Sequence, residues 1–278
     1  MENYIGIDLG GTAIKGGLIA DDRIIRKEMF PIRKERSGEE IIDDICNLIR
    51  RLWDEDVMGI GFAVPALIDP GKGIIYGLTN IPQLNDVSLK QILEERFGIQ
   101  VCLQNDANCF AWGEFKYGIA QGYKNIIGLI TGTGVGAGII IDKRLYNGSN
   151  WGAGEFGMIP YRDSNFESYC GGHFFTSYYG IPGEELAERA GNGDQEALTA
   201  FQEYGLNLGE LIKLICYTLD PQIIVIGGSV SKSFSHYEVA LKKSMESYFF
   251  KEGTRAVIRP SVNEDIAIIG AAELSRGK

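Results

Sequence analysis

The chain has 278 residues, with 27 Lys and Arg against 37 Asp and Glu, a formal net charge of −10 at pH 7. Hydrophobic residues make up 45% and charged residues 23%, a globular balance that excludes a disordered chain. Glycine, at 37 residues, is nearly twice its usual share of roughly 7%; without a three-residue period it excludes collagen and points to turns and close backbone approaches.

The first element is an apolar strand, Tyr4-Ile-Gly-Ile-Asp-Leu, followed by a tight turn at Gly10-Gly11-Thr12 and a returning strand, Ala13–Ile19. Ser37-x-x-Glu40 is a capping box that opens a helix over 38–53, with Ile41, Ile42, Ile45, Leu48, Ile49 and Leu52 at helical spacing. Strand Met58–Val64 follows. Ser88-x-x-Gln91 is expected to cap a second helix, closed by Gly98. Strand Ile99–Leu103 leads into Gln104-Asn105-Asp106-Ala107-Asn108 and a helix over 107–117. Strands alternating with helices predict an α/β fold.

The opening pattern then recurs. Ile127-Gly128-Leu129, Thr131-Gly132-Thr133-Gly134 and strand Val135–Ile141 repeat it, with Gly6, Gly10 and Gly16 falling on Gly128, Gly132 and Gly138 after a shift of 122. Two similar sheets are expected. Residues 144–183 are the least regular stretch. A helix over 194–219 stops at Asp220-Pro221, strand Ile223–Ile226 ends in Gly227-Gly228-Ser229, and helix 236–250, strand Ala256–Arg259 and a last helix from Ile268 complete the pattern.

The longest apolar runs, such as Gly134–Ile141, fall far short of the roughly 18 to 20 residues of a membrane span. The N-terminal residues lack the basic region and apolar core of a signal peptide, so a cytoplasmic protein is expected. Negative charge opposes nucleic acid and anionic membranes as partners. Cys46, Cys102, Cys109, Cys170 and Cys216 are odd in number and contain no Cys-x-x-Cys pair, so no disulfide framework is expected. Cys170 and His173 are three apart, but with two His in the chain a four-ligand zinc site is not readily assembled.

Gly10-Gly11 lets backbone N–H groups approach an anion, Thr12 adds a hydroxyl, and Asp8 could hold a hydrated Mg²⁺; an ordinary hairpin turn would explain the glycines but not the Asp before them. Thr131–Gly134 is a second turn of this kind. Its loose Gly132-x-Gly134-x-x-Ala137 pattern is not a dinucleotide fingerprint, because strand rather than helix follows. Asp106, at a strand-to-helix junction, is either a helix cap or a general base. Glu155 in Gly152-Ala-Gly-Glu-Phe-Gly157 suits sugar hydroxyls, or is a solvated loop residue. Gly227-Gly228 could admit an adenosine, or is a tight turn.

Together these segments resemble the ROK family (repressors, open reading frames and kinases) of the actin-like/hexokinase ATPase-domain superfamily. The resemblance rests on Tyr4–Thr12, Gln104–Asn108, Ile130–Gly136, Ile224–Ser229 and Ala267–Ala272, and spans the chain. It implies two actin-like domains, 1–113 with 267–278 and 114–266, closing over a hexose and MgATP, and a homodimer. Asp106 would deprotonate the sugar hydroxyl, usually the 6-OH. Asn80, Asn105 and Glu155 would hold the sugar. Gly10, Gly11, Thr12, Lys15, Thr131, Gly132, Thr133, Gly134, Gly227 and Gly228 would bind the nucleotide, and Asp8 would position Mg²⁺. Family repressors carry an added DNA-binding segment, for which a first strand starting at Tyr4 leaves no room; a non-catalytic sugar-binding relative is the alternative. The chain departs from the family in one region. Met158 replaces the His of Glu-x-Gly-His, the Cys-rich loop is reduced to Tyr169–Phe175, and Phe175 stands where a further sugar-binding Glu is expected. No structural zinc is therefore expected, and Trp151, Phe174, Phe175, Tyr178 and Tyr179 become candidates for an apolar sugar platform, a core or a dimer contact.

Overall fold

Short apolar strands broken by glycine turns have one economical solution, a hairpin whose buried face receives helices. The computed structural model describes residues 2–33, 35–248 and 256–276, and the chain divides into two compact units, Met1–Gln121 with Leu145–Ala153 and Asn263–Lys278, and Gly122–Arg144 with Gly154–Val262.

In the first unit, β1 (Asn3–Leu9) pairs antiparallel with β2 (Ala13–Ala20), which pairs with β3 (Arg23–Pro31). Helix α1 (Gly38–Leu52) crosses over to β4 (Val57–Val64), parallel to β1. The Ser37–Glu40 capping box is present. A small ribbon, β5 (Leu67–Asp69) and β6 (Ile74–Tyr76), precedes α2 (Leu89–Phe97). Ser88 makes no side-chain cap here: its backbone bridges to Ile74, and Gln91 reaches forward to Glu95 instead. Gly98 closes α2 in the left-handed conformation. Then β7 (Gln100–Asn105), parallel to β4, runs directly into α3 (Asp106–Tyr117). The sheet order is β3-β2-β1-β4-β7. Apolar faces of α1 and α2 close one side of it around Ile5, Ile7, Ile45, Ile49, Phe62 and Leu93.

The second unit opens with β8 (Ile126–Thr131) and β9 (Val135–Ile141), antiparallel, with the two-residue β10 (Arg144–Leu145) beyond. A two-strand ribbon, β11 (Pro160–Tyr161) and β12 (Ser164–Asn165), is followed by three short helices, α4 (Phe166–Cys170), α5 (His173–Tyr179) and α6 (Gly183–Gly191). The stretch expected to be irregular, 144–183, therefore carries α4 and α5, too short to show an apolar period. Helix α7 (Gln195–Leu219), capped by Asp194, packs against α8 (Phe234–Met245), and β13 (Ile223–Gly227) lies between β8 and β14 (Val257–Pro260), parallel to both. The expected end of the 236–250 helix falls partly outside the described residues. The sheet order, β10-β9-β8-β13-β14, matches that of the first unit.

The repeat is real at the level of topology, with a corrected register. Leu9 pairs with Ile14 and Thr131 with Val135, so the second turn is one residue shorter. The returning strands therefore match after a shift of 121, which sets Gly17, not Gly16, on Gly138.

Helix α9 (Ile266–Ser275) packs on β1, β4 and α3 in the first unit. Apart from Glu273, which pairs with Lys116 and Arg276, it is apolar almost all round, as suits a helix buried on most sides. A Cβ on Gly61 would lie 1.8 Å from the Ala271 carbonyl oxygen, and one on Gly6 2.0 Å from that of Ile268. These glycines set the helix-to-sheet distance. The boundaries expected after 113 and 266 fall inside α3 and α9, each an unbroken hydrogen-bonded rod that stays with the first unit. All five cysteines are free. Among the described residues, no helix is long and apolar enough to cross a membrane.

Candidate active site

In the first unit, the candidate residues gather at the carboxyl ends of β1 and β7. Asn105 is the N-cap of α3: its Oδ1 accepts from the N–H groups of Ala107 (3.0 Å) and Asn108 (3.2 Å), and its Nδ2 donates to the Ala66 carbonyl (3.3 Å). Capping is thus done by Asn105, and Asp106 occupies the first helical position, where exposed N–H groups and the helix dipole favour negative charge. Asp106 Oδ1 accepts from the Ala107 N–H at 2.8 Å.

Asp8, on β1, has its carboxyl pushed up to about 6, first by burial and then by the charge of Asp106; Lys15, its cross-strand partner on β2, acts in the opposite sense. The Gly10 N–H donates to the Ala13 carbonyl and closes the turn. Asn80 lies against Gly11, where a Cβ would come within 3.0 Å of its amide. Thr12 and Lys15 are exposed. The first unit therefore brings Asp8, Gly11, Lys15, Asn80, Asn105 and Asp106 into one neighbourhood.

In the second unit, the turn after β8 and the end of β13 are joined by a buried bond. Thr131 Oγ1 donates to the Gly227 carbonyl at 3.2 Å. Gly228 has φ of 87°, and a Cβ there would lie 2.4 Å from the Thr131 carbonyl oxygen, so the position excludes every larger residue. The Gly132 N–H donates to Gly134, the Gly132 carbonyl accepts from Gly172, and His173 Nδ1 meets the Thr133 carbonyl at 2.9 Å. Beside this turn opens a pocket of about 540 Å³, within the usual range for small-molecule sites. Gly132, Thr133, His173, Glu184, Ser229 and Lys232 line it. Sequence reasoning missed its far wall: α5 is too short to show an apolar period, while the amphipathic α6, with Leu186 and Ala190 buried, was overlooked.

Glu155 follows Gly154 and has its carboxyl held above the ordinary range, chiefly by desolvation and then by the charge of Glu167. Glu167 Oε2 accepts from the Val135 N–H at 2.9 Å. The acid beside Glu155 is therefore Glu167, on α4. Phe175 is fully buried among Phe174, Phe201 and Tyr204. Met158 is exposed. Of the aromatic candidates, Phe174 is core, Tyr178 is exposed, and Trp151 lies in the first unit against Tyr76.

Two sheets of one order, each opened by a glycine-turn hairpin, define an actin-like ATPase fold. A ROK family glucokinase from Streptomyces griseus, in complex with glucose and AMPPNP, superposes with a TM-score of 0.85 at 27% identity, covering 99% of each chain. A glucokinase from Thermotoga maritima is 27% identical over 97% of this chain and 96% of its own, and one from Halalkalibacterium halodurans is 30% identical over 88% and 86%. Residues 4–174 and 176–278 match the sequence profile of the ROK family. The chain belongs to that family.

Proposed function

We propose that the chain is an ATP-dependent sugar kinase that transfers a phosphoryl group to the 6-OH of a hexose or hexose derivative, with Asp106 as general base. The observation that carries this reading is the amino end of α3, where Asn105 does the capping and Asp106 is set beside Asp8. A carboxylate at a helix start, supported by its neighbours, can accept a hydroxyl proton as the oxygen attacks. Asn80, Asn105 and Glu155 hold sugar hydroxyls. The turns Gly10–Thr12 and Thr131–Gly134, with Lys15, bind phosphates, and Gly227 and Gly228 bind the adenosine, next in sequence to Ser229, which lines the pocket of the second unit.

The residues fit Mg²⁺. Asp8 is crowded by the charge of Asp106, and a divalent cation relieves that crowding. An ion there would be held by the one carboxylate of Asp8, with water and substrate phosphates completing its shell. Bound with ATP, Mg²⁺ supplies neutralising charge at the transferred group. The family resemblance further supports a cytoplasmic homodimer, whereas the departure from the family at the reduced Tyr169–Phe175 loop argues against a structural zinc.

Coupled measurement of ATP consumption across a sugar panel tests the reading. Asp106→Asn is expected to lower kcat by about 10²-fold or more with an unchanged melting temperature. Wild-type turnover by that variant would remove Asp106 from the mechanism. Sugar binding without turnover by the unaltered protein would favour a non-catalytic sugar sensor.

A further inference from the structure

His173 takes no part in the roles assigned above. The sequence singled it out by its spacing from Cys170, which is fully buried. His173 lines the pocket of the second unit and is tied to the glycine turn there. The Gly172 N–H donates to the Gly132 carbonyl at 2.6 Å, and His173 Nδ1 meets the Thr133 carbonyl at 2.9 Å. Two consecutive residues are thus anchored to two consecutive residues of the turn, which fixes the imidazole against it.

The Thr133 contact also decides where the ring proton sits. A carbonyl oxygen accepts and cannot donate, so Nδ1 carries the proton. In the neutral ring Nε2 then holds a lone pair. Among the described residues, Nε2 has no hydrogen-bond partner. Glu184 and Lys232 also line the pocket, but both are exposed. The half-buried His173 instead presents an acceptor held in one place.

A fixed acceptor selects a donor on its ligand. Phosphate oxygens and the ring nitrogens of adenine are acceptors themselves. The donors of an adenine nucleotide are its ribose hydroxyls and its 6-amino group. Ribose adjoins the phosphates, whereas the amino group lies across the base from it. His173 is bound to the turn assigned to phosphate, and Gly228, assigned to adenosine, backs onto the same turn at Thr131 and Gly132. The part of a nucleotide that joins phosphate to base is the ribose.

We propose that His173 Nε2 accepts a hydrogen bond from a ribose hydroxyl, so that the site selects ribonucleotides over deoxyribonucleotides. The proposal rests on the reading of this pocket as the nucleotide site.

Calorimetric titration without sugar measures the contact apart from turnover. The probes are ATP, 2′-deoxy-ATP and 3′-deoxy-ATP, each with Mg²⁺. The unaltered protein should bind ATP about tenfold or more tightly than one of the two deoxy analogues. His173→Asn keeps an amide N–H near the place of Nδ1 for the Thr133 carbonyl and has no acceptor at the place of Nε2. Its melting temperature should be unchanged and its preference for ATP over that analogue lost. His173→Gln, whose longer side chain carries a carbonyl oxygen towards the place of Nε2, should keep part of the preference. If all three nucleotides bind the unaltered protein equally, or if the preference survives in His173→Asn, the ribose contact is wrong and the nucleotide site stands. If none of the three binds, the nucleotide reading of the pocket falls and the ribose contact falls with it.

Discussion

The charge of Asp106 reaches Asp8 and makes its carboxylate harder to form. Burial acts in the same direction and more strongly, and together they raise the Asp8 carboxyl from 3.8 to about 6. The folded chain therefore binds this proton more tightly than the unfolded chain. The resulting destabilisation is fully present above pH 6 and fades as pH falls towards 3.8, with a limiting size of about 3 kcal/mol. We predict that Asp8→Asn, measured by chemical denaturation of metal-free protein at pH 7.5, is more stable by about 1 to 3 kcal/mol and has a flatter pH dependence between 4 and 6. The same variant should lose Mg²⁺-dependent turnover. A less stable variant at pH 7.5 would show that Asp8 is not held against like charge.

Thr131 ties the second glycine turn to the end of β13 through its hydroxyl. Thr131→Val keeps the shape and removes the donor, leaving the Gly227 carbonyl without this partner. We predict a loss of about 1 to 2 kcal/mol in stability and a rise in KM for ATP exceeding that for sugar. Equal rises in both would assign Thr131 a general structural role.

Gly61 is the tightest contact beneath α9. Gly61→Ala would place a methyl group 1.8 Å from the Ala271 carbonyl oxygen, a backbone atom that cannot rotate away. We predict a loss of about 3 kcal/mol or more, at or beyond the upper end of ordinary overpacking. A denaturation midpoint within error of the unaltered protein would mean that α9 shifts freely on the sheet.

Ser37 caps α1 and belongs to no candidate site. Its Oγ accepts from the Glu40 N–H, and Glu40 reaches back to the Ser37 N–H. Ser37→Ala should cost about 1 kcal/mol in stability and leave kcat and KM unchanged. Altered kinetics would indicate that α1 influences the site.

The elements legible in the sequence were those whose signal is local. The Ser37–Glu40 box, the α1 stripe, the Gly98 terminator and both glycine turns each depend on residues within a few positions of one another. Ser88 shows the limit: its pattern matched a capping box, but a bridge to Ile74 set its backbone otherwise. Glycine showed the same limit on a larger scale. Gly6 was legible only as part of a repeated glycine pattern, yet a Cβ on it would meet Ile268, more than 250 residues along the chain. Candidate acids on the two strand ends were found because motif and topology agree there. Glu167 was missed because its place near Glu155 depends on α4 folding against β9, where it accepts from the Val135 N–H, and not on sequence spacing. Trp151 was among the aromatic candidates in the sequence, but its stacking partner Tyr76 was not, because the two meet only where the β5–β6 ribbon and the loop after β10 come together.

Helix α9 has a temporal consequence. It completes the packing of α3, β1 and β4, but it begins at Ile266, 149 positions after α3 ends at Tyr117. At roughly 5 to 20 residues per second, the ribosome needs about 7 to 30 s to cover that interval. Throughout it, the glycine-lined seam on the first sheet is synthesised but uncovered. Any nascent-chain binder that recognises apolar surface has that window in which to act, and it closes when α9 docks.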